Sequence, residues 1–581
     1  MKNIDIMTIR HSLSHVLAAA ILRLYPEAKL GMGPAIENGF YYDFELPNSL
    51  SVEEMKKVWD EMCIIIAKGY YFVERVEKKA DAIKYLKSVD QSYKVELAND
   101  LSDGSITFYD LKDKETGDII FTDLCAGPHV ESTDDLHDIS FGFDRFAGAY
   151  WKGDEKNKML QRIYFLAFPN LDGVEKYLEM RKEAEKRDHR KLGKELDLFV
   201  FSDLVGPGLP LYTPRGTIIK DELQKKVEKI CRQYGFQKVS CPSLAKIDLF
   251  KISGHADKFG DELFHVSSKG GLNMVLKPVQ CPHQSQIYAS KIRSYRDLPI
   301  RYMESDKQYR AEKSGEVGGL SRVFAITVED GHSFCRIDQV KDEVRNMVKI
   351  IKDFYTELGM WGNHSVSLSV RDYEHPEKYI GDKADWDHAE KMLQEVAEEM
   401  NLDAVKHEGE AALYGPKLDF MFKDAMGRDV QIPTVQLDFA TPKRFNLVYT
   451  NEEGNEANPV MVHRAILGSY ERFMALLIEH FAGAFPVWLA PVQVVILPIA
   501  DRHLEYAIKI KEELLKNDIR VELDDRSETV GKKIRESEMQ KVPFMIVVGD
   551  KEIEAGMVAV RKYGEGDNGQ ITLKTLIDEI K

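Results

Sequence analysis

Cysteine is scarce: six residues in 581, Cys63, Cys125, Cys231, Cys241, Cys281 and Cys335, scattered rather than spaced as a framework. That excludes a disulfide-stapled scaffold and fits a reducing compartment, where a special cysteine reads as a ligand or a reactive group. Long hydrophobic runs are also missing. The most apolar stretch, AFPVWLAPVQVVILPIA over 484–500, is interrupted by Pro486, Pro491, Gln493 and Pro498 and is too short to span a bilayer. The opening MKNIDIMTIRHSLSH lacks the basic start and apolar core of a secretory signal, so a soluble cytoplasmic protein without a membrane partner is expected. Neither a Walker A loop nor a GxGxxG fingerprint occurs, and no serine nucleophile elbow is present, so P-loop, Rossmann and serine-hydrolase sites have no support. Positive charge is in deficit, with 80 Lys and Arg against 96 Asp and Glu for a net charge of −16. A histone-like basic coat is thereby excluded, although a local basic face would suffice for nucleic acid.

What is present is ordinary globular composition, 44% hydrophobic and 30% charged, which rules out wholesale disorder. The length suggests about three to five domains. TIRHSLSHVLAAAILRL places apolar residues at helical spacing over 8–24 and stops at Tyr25-Pro26. Strand-like runs (NGFYYDFEL, ITFYDL, DIIFTDL, RIYFLAF) and a helix around 52–69 make the first 170 residues read as α+β. Residues 173–195 predict one long charged linker helix. From 197 to 485, helical segments alternate with strands in a larger α/β region. Beyond the proline-rich hinge at 486–491, a strand–helix–strand–helix–strand series predicts a small domain with a largely parallel sheet.

His11 and His15 stand four residues apart on one helical face, and Cys125-Ala-Gly-Pro-His129 adds a thiol and an imidazole on a turn just after Asp123. One cysteine and three histidines resemble a zinc site, but the same set could converge on a substrate without metal. RYMESDKQYRAEKSGEVGGLSR, from Arg301 to Arg322, reads as a strand, a glycine-bearing loop and a return strand, with Arg310, Glu312 and Arg322 suited to phosphate and ribose contacts. VHRAILGSYERF sets His463, Ser469 and Arg472 on one strand-to-helix unit.

Taken in order, RHSLSHVLAAA, NGFYYDFEL, QSYKVEL, DLCAGPHV, GAYWKGDEKNKMLQRIY, RDHRKLGKELDLF, EGEAALYGPKLDF, PTVQLDF, MVHRAILGSYERF and PFMIVVGDKE resemble threonyl-tRNA synthetases of the bacterial type over nearly the whole chain. The resemblance implies an α+β multidomain protein with an α+β editing domain (1–170), a linker helix (171–196), a class II catalytic core on an antiparallel sheet (197–489) and an α/β anticodon-binding domain (490–581). The small ubiquitin-like domain that opens many family members is not expected here. The implied activity is ATP-dependent attachment of L-threonine to tRNA(Thr) through a threonyl-adenylate, with hydrolysis of mischarged Ser-tRNA(Thr). A synthetase-like RNA-binding protein without efficient catalysis, or a relative acting on proline, are the competing readings. The survival of the metal and arginine positions named below opposes both.

By this resemblance, Cys281, His332 and His463 are ligands of one Zn2+ per subunit. A polar requirement for threonine's hydroxyl separates it from valine far better than pocket shape does. Asp330 would accept the threonine hydroxyl proton. Tyr414 and Lys417 would lie near the amino acid and adenylate, while Arg310 and Arg472 would bind the α- and γ-phosphates. Glu312, Arg322, Gln431 and Ser469 would complete the ATP pocket, with Mg2+ accompanying ATP. Serine lacks only a methyl, worth about 1–3 kcal/mol, so a second hydrolytic site is needed. His11, His15, Lys94, Asp123, Cys125 and His129 match that editing pocket, which in this family works without metal. Glu552 and Arg561 match anticodon contacts, and the helix following Arg215 resembles the segment that builds a homodimer interface. Departures from the family pattern are Pro282-His283-Gln284 for Pro-Gly-His, Gln280 for asparagine, Val328 for glutamine, Glu329 for aspartate, Pro433 in a glycine-containing turn, and Ser527 for asparagine.

Overall fold

Leu13, Val16, Leu17, Ala20 and Ile21 recur at helical spacing, and in the computed structural model, which describes every residue except 1–3, 103 and 314, they lie buried on the helix Ile6–Leu24. Burial extends to nearly every side of this helix from Ser12 to Ile21, as expected of a helix inserted into a core rather than laid on a surface. The chain divides into two compact units, residues 1–181 and 182–581.

In the first unit the helix packs on an antiparallel sheet ordered Lys29–Leu30, Gly39–Glu45, Met159–Phe168, Ser140–Tyr150, with the helix Met55–Ala67 beside it. A second antiparallel sheet (Tyr71–Lys78, Ser105–Lys112, Ile119–Leu124) carries the helices Lys79–Ser88 and Ser92–Asp100. This is the α+β pattern expected.

The predicted single linker helix is two helices, Leu171–Arg187 and His189–Glu195. Asp188 makes the break: its backbone leaves helical geometry and its carboxylate accepts the Arg190 N–H at 2.8 Å, starting a new helix.

The second unit is built on an eight-stranded sheet in the order Gln237–Lys238, Ile300–Tyr309, Ala325–Cys335, Val460–Ser469, Asp429–Asp438, Lys417–Lys423, His364–Val370, Val405–Glu408. All neighbours are antiparallel except the two outermost pairs. Simple alternation of helix and strand could not show this, because it does not reveal strand direction. The helices Pro214–Gln233, Val340–Glu357, Lys383–Glu399 and Tyr470–His480 contribute to one apolar core with Val435, Val460 and Val462. With the two-residue period of a strand, Phe334 and Met461 face the other way, into a cluster with Cys281 and Tyr288. His332 and His463 share that parity. The strand returning from the Arg301–Arg322 segment starts only at Ala325, so Arg322 sits in the loop rather than on the strand.

The C-terminal sheet corrects a second expectation. Val521–Leu523, Val494–Pro498 and Phe544–Val548 are parallel, but Val558–Lys562 and Gly566–Ile571 add antiparallel strands, so it is mixed rather than largely parallel. The short connection after Val548 explains this, since a hairpin needs only a few residues where a parallel crossover needs a dozen or more. No helix among the described residues is long and apolar enough to cross a membrane.

Two candidate sites, one in each unit

In the second unit, His332 and His463 are directly opposed on neighbouring strands, and Cys281 is the first residue of the helix Cys281–Ala289. One ligand atom from each lies within 4.8 Å of the others, and all three residues are buried. The outer nitrogens are engaged: His332 Nδ1 meets Gln284 Oε1 at 2.8 Å and His463 Nε2 meets Asp438 Oδ2 at 3.0 Å. A ring that donates through its outer nitrogen keeps a lone pair on the inner one. The inner atoms, His332 Nε2 and His463 Nδ1, face each other at 3.0 Å. Two lone pairs at that distance require a cation or a proton between them, and one thiol with two imidazoles is the donor set of an open zinc site. The residues present therefore fit the metal. Burial pushes the Cys281 thiol well above its ordinary range and His332 well below the ordinary histidine range; the neutral imidazole is already the form that binds a metal, and a bound cation would offset the cost of the buried thiolate.

The triad borders a cavity of about 500 Å³ lined by Cys281, Asp330, His463 and Tyr414 as well as Arg310, Glu312, Arg322, Gln431, Ser469 and Arg472. Tyr414 stacks on the His463 ring at 4.5 Å, and its hydroxyl donates to Gln436 Oε1 at 2.6 Å. Burial, reinforced by neighbouring Glu329, pushes the Asp330 carboxyl up to about 8. Arg310 rests over the Phe259 ring at 4.9 Å and spends two N–H groups on Pro278 O at 3.3 Å, and burial lowers its pKa. Arg472 follows the N-cap Ser469 and donates to Ser321 O at 3.3 Å; burial, then Arg322, lowers it too. Arg322 pairs with Glu312 at 2.7 Å and Glu316 at 2.9 Å. Two cationic groups destabilised by desolvation and held on opposite elements form a receptor for polyanionic oxygens. Lys417 does not line the cavity; it pairs with Asp419 at 2.8 Å.

In the first unit the other predicted set converges. His11 Nε2 and His129 Nε2 lie 3.3 and 3.4 Å from Cys125 Sγ. Their outer nitrogens meet Pro128 O at 3.1 Å and Ser12 Oγ at 3.2 Å. His11, His15, Cys125 and His129 together form a second group whose donor atoms could hold a metal. Asp123 is the polar hub: Lys94 Nζ lies at 2.7 Å, His15 Nε2 at 3.7 Å, and the Tyr42 hydroxyl donates to it. Burial lowers His11, drives His15 and His129 far below the ordinary histidine range, and pushes the Cys125 thiol up to about 11. Burial thus favours neutral imidazoles and a protonated thiol beside the buried Lys94–Asp123 salt bridge. Gly127 allows the turn: its φ is +71°, and a Cβ there would meet the Tyr109 hydroxyl at 2.4 Å.

Sequence reasoning missed Gln284 and Asp438 as partners of the metal-facing histidines, and Ser12 and Tyr42 in the first unit. Ser12, the residue after His11 on the same helix, carried no signal of its own. Glu552 caps the helix Asp550–Ala555 through Gly549 N at 2.9 Å and is mostly buried, while Arg561 lies on the strand Val558–Lys562 at 3.7 Å from Asp567.

Three family models match the chain: the tRNA synthetase class II core domain (G, H, P, S and T) over 264–481, the anticodon binding domain over 493–581, and the threonyl and alanyl tRNA synthetase second additional domain over 106–164. A threonine–tRNA ligase of Gloeobacter violaceus is 46% identical over 97% of this chain and 90% of its own length. One of Porphyromonas gingivalis is 45% identical over 98% and 86%. Among solved structures, the RNA binding domain of a Cryptosporidium parvum threonyl-tRNA synthetase is similar at TM-score 0.64 and 34% identity, covering 68% of this chain and 97% of that one.

Proposed function

The chain belongs to the threonine–tRNA ligase family, and from that premise we propose that it selects threonine through a zinc centre at Cys281, His332 and His463, activates it as an adenylate, and clears mischarged serine in its first unit. The observation that carries the synthetic half is the pair of inward-facing histidine nitrogens beside Cys281, set in the wall of the same cavity as Arg310 and Arg472.

ATP fits the cavity with its phosphates against Arg310 and Arg472, its charge shared with Glu312-paired Arg322 and with Mg2+ arriving as the nucleotide's counterion. Threonine lies between Asp330, Tyr414 and the triad. When bound, zinc supplies a Lewis-acid centre that an amino acid with both an amino group and a side-chain hydroxyl can complete. Gln284 and Asp438 hold the two imidazoles in the tautomers that point their lone pairs inward. Asp330, which lines the cavity beside Cys281 and His463, accepts the hydrogen bond of the threonine hydroxyl. The threonine carboxylate attacks the α-phosphorus, pyrophosphate leaves, and Arg310 stabilises the charge that develops there. The tRNA then displaces AMP as its terminal ribose takes the threonyl group.

The editing half is ester hydrolysis. With the Cys125 thiol near 11, a thiolate nucleophile is scarce at neutral pH, so the neutral imidazoles of His11, His15 and His129 orient water on the ester carbonyl, and the buried Lys94 ammonium stabilises the oxyanion. Support for a homodimer lies in the apolar side chains exposed over 199–212, including Phe201, Leu204 and Val205. Glu552 and Arg561 belong to the anticodon-reading part of the proposal. ATP–pyrophosphate exchange with threonine, serine and proline tests the function; exchange with proline, or none with threonine, would overturn it.

A further inference from the structure

The RDHRKLGKELDLF segment is unused by the chemistry above, yet its histidine reaches the nucleotide loop. His189, the first residue of the helix His189–Glu195, is buried and its ring is engaged at both nitrogens. Nδ1 lies 2.7 Å from Glu479 Oε1, and Nε2 lies 3.1 Å from the backbone nitrogen of Leu320. Only one tautomer satisfies both: Nδ1–H donates to the carboxylate while Nε2 accepts the Leu320 N–H.

The two partners belong to two elements that each contribute to the cavity lining, the turn carrying Ser321 and Arg322 and the helix carrying Arg472. Leu320 is the buried apolar anchor of the turn Gly318–Arg322, whose ends pair through Gly318 N to Arg322 O at 3.1 Å. Ser321 and Arg322 of that turn line the cavity. Glu479 is on the helix Tyr470–His480, whose first turn carries Arg472. Arg472 in turn donates to Ser321 O, closing a ring of contacts from His189 through the helix to the loop and back. Close fit on the loop side is shown by Gly319: its φ is +51°, and a Cβ there would stand 2.2 Å from His189 Nε2.

We propose that His189 is a positioning residue for ATP: it fixes the spacing between the loop bearing Arg322 and the helix bearing Arg472, so that both reach the nucleotide together. The inference rests on the reading of this cavity as the ATP site. Without the ring, the Leu320 N–H is left buried and unpaired, and Glu479 loses its 2.7 Å donor and is left with the longer His189 backbone N–H at 3.4 Å.

The test is ATP–pyrophosphate exchange by the full-length protein. His189→Ala should raise KM for ATP about tenfold, the effect of losing one buried hydrogen bond. KM for threonine and the zinc content should not change. His189→Gln, which can accept and donate at once, should recover most of the loss. An ATP KM within twofold of wild type, an equal rise in threonine KM, or a glutamine variant no better than alanine would each overturn the proposal. If His189→Ala does not fold, Gly319→Ala carries the test, because its Cβ enters the space of the ring; an unchanged ATP KM there overturns the proposal as well. Arg472→Ala separates the two levels. If it loses ATP while His189→Ala does not, the ATP site stands and the positioning role falls; if neither affects ATP, the reading of the cavity itself is wrong.

Discussion

His332 Nε2 and His463 Nδ1 face each other at 3.0 Å across directly paired positions of two antiparallel strands. Direct pairing brings the two rings together without any loop, so their spacing is set by the sheet, the most rigid part of the unit. Ligands bound to one tetrahedral zinc at about 2.05 Å stand roughly 3.3 Å apart, so little movement is needed to admit the ion. The arrangement is pre-organised rather than assembled on binding.

Zinc content should follow the triad. The protein should carry about one zinc per chain, lost in Cys281→Ala together with threonine activation and retained in Cys125→Ala. Gln284→Leu should keep the ligands yet weaken zinc about ten- to a hundredfold, measured by competition with a chelator, because His332 loses the acceptor that fixes its tautomer. Full threonine activation by metal-free protein would sink the assignment.

Arg310→Ala should reduce ATP–pyrophosphate exchange by about a hundred- to a thousandfold, the usual effect of removing one oriented donor from developing charge. Among its described contacts the guanidinium donates to Pro278 O and lies over the Phe259 face, while Glu312 and Glu262 act on it through space without a described hydrogen bond, so a ligand has no bonded carboxylate to displace. Near-wild-type exchange in this variant would reduce Arg310 to a structural cation.

Much of this was legible in the sequence, and what was not has physical reasons. HxxxH on a helix and CAGPH on a turn are local patterns, so His11 with His15 and Cys125 with His129 could each be paired from spacing, and the combined donor set suggested that the two pairs belong together. Cys281, His332 and His463 could not be grouped that way, because strand pairing joins His332 to His463 across 131 positions and tertiary packing brings in Cys281 from a helix 51 positions before His332; only the family resemblance linked them. Asp188 looked like one more charge in a helix, although its short carboxylate is a capping group and it splits the linker in two. Strand direction escaped the alternation pattern for a related reason: a hydrophobic period reports which face is buried, not which way the chain runs.

Burial of an ion pair gives a stability prediction. Arg464 and Glu329 are almost wholly buried, bonded at 2.5 Å, with Arg464 also reaching Cys231 Sγ at 2.9 Å and lying over Phe236. Glu329→Leu should cost about 3–5 kcal/mol in urea unfolding, because it leaves a buried guanidinium without its counter-charge. Loss below 1 kcal/mol would show that Arg464 finds another anion or reaches water.

The editing pocket should be insensitive to pH around 6.5. Burial holds His15 and His129 far below the ordinary histidine value, so both remain neutral as pH falls through 6.5, where an exposed histidine would charge. Deacylation of preformed Ser-tRNA should therefore show no inflection there. The linkage sign is opposite for stability: the unfolded chain binds these protons below about pH 6.5 while the folded one does not, so acid weakens the fold in that window. An inflection near 6.5 in deacylation, with the fold intact, would mean that a histidine with an ordinary pKa controls the step.

The last prediction concerns fidelity. His11→Ala combined with Cys125→Ala should leave threonylation nearly intact while Ser-tRNA accumulates, because the two sets of residues lie in separate compact units. The pocket is formed by contacts that these changes remove: His11 Nε2 to Cys125 Sγ, and Cys125 Sγ to His129 Nε2. Neither side chain anchors the core of its unit. His11 and Cys125 are only partly buried, whereas Leu13, Val16 and Leu17 beside them are fully buried and hold the helix. If the histidines served only to pack the first helix, the double variant would lose folding, and both the unfolding midpoint and the circular dichroism would fall with it. A selective loss of deacylation in a folded protein would instead assign these residues to the chemistry. Clearance of Ser-tRNA at the wild-type rate by the full-length double variant would refute the editing assignment, since water would then be positioned by groups other than His11 and Cys125.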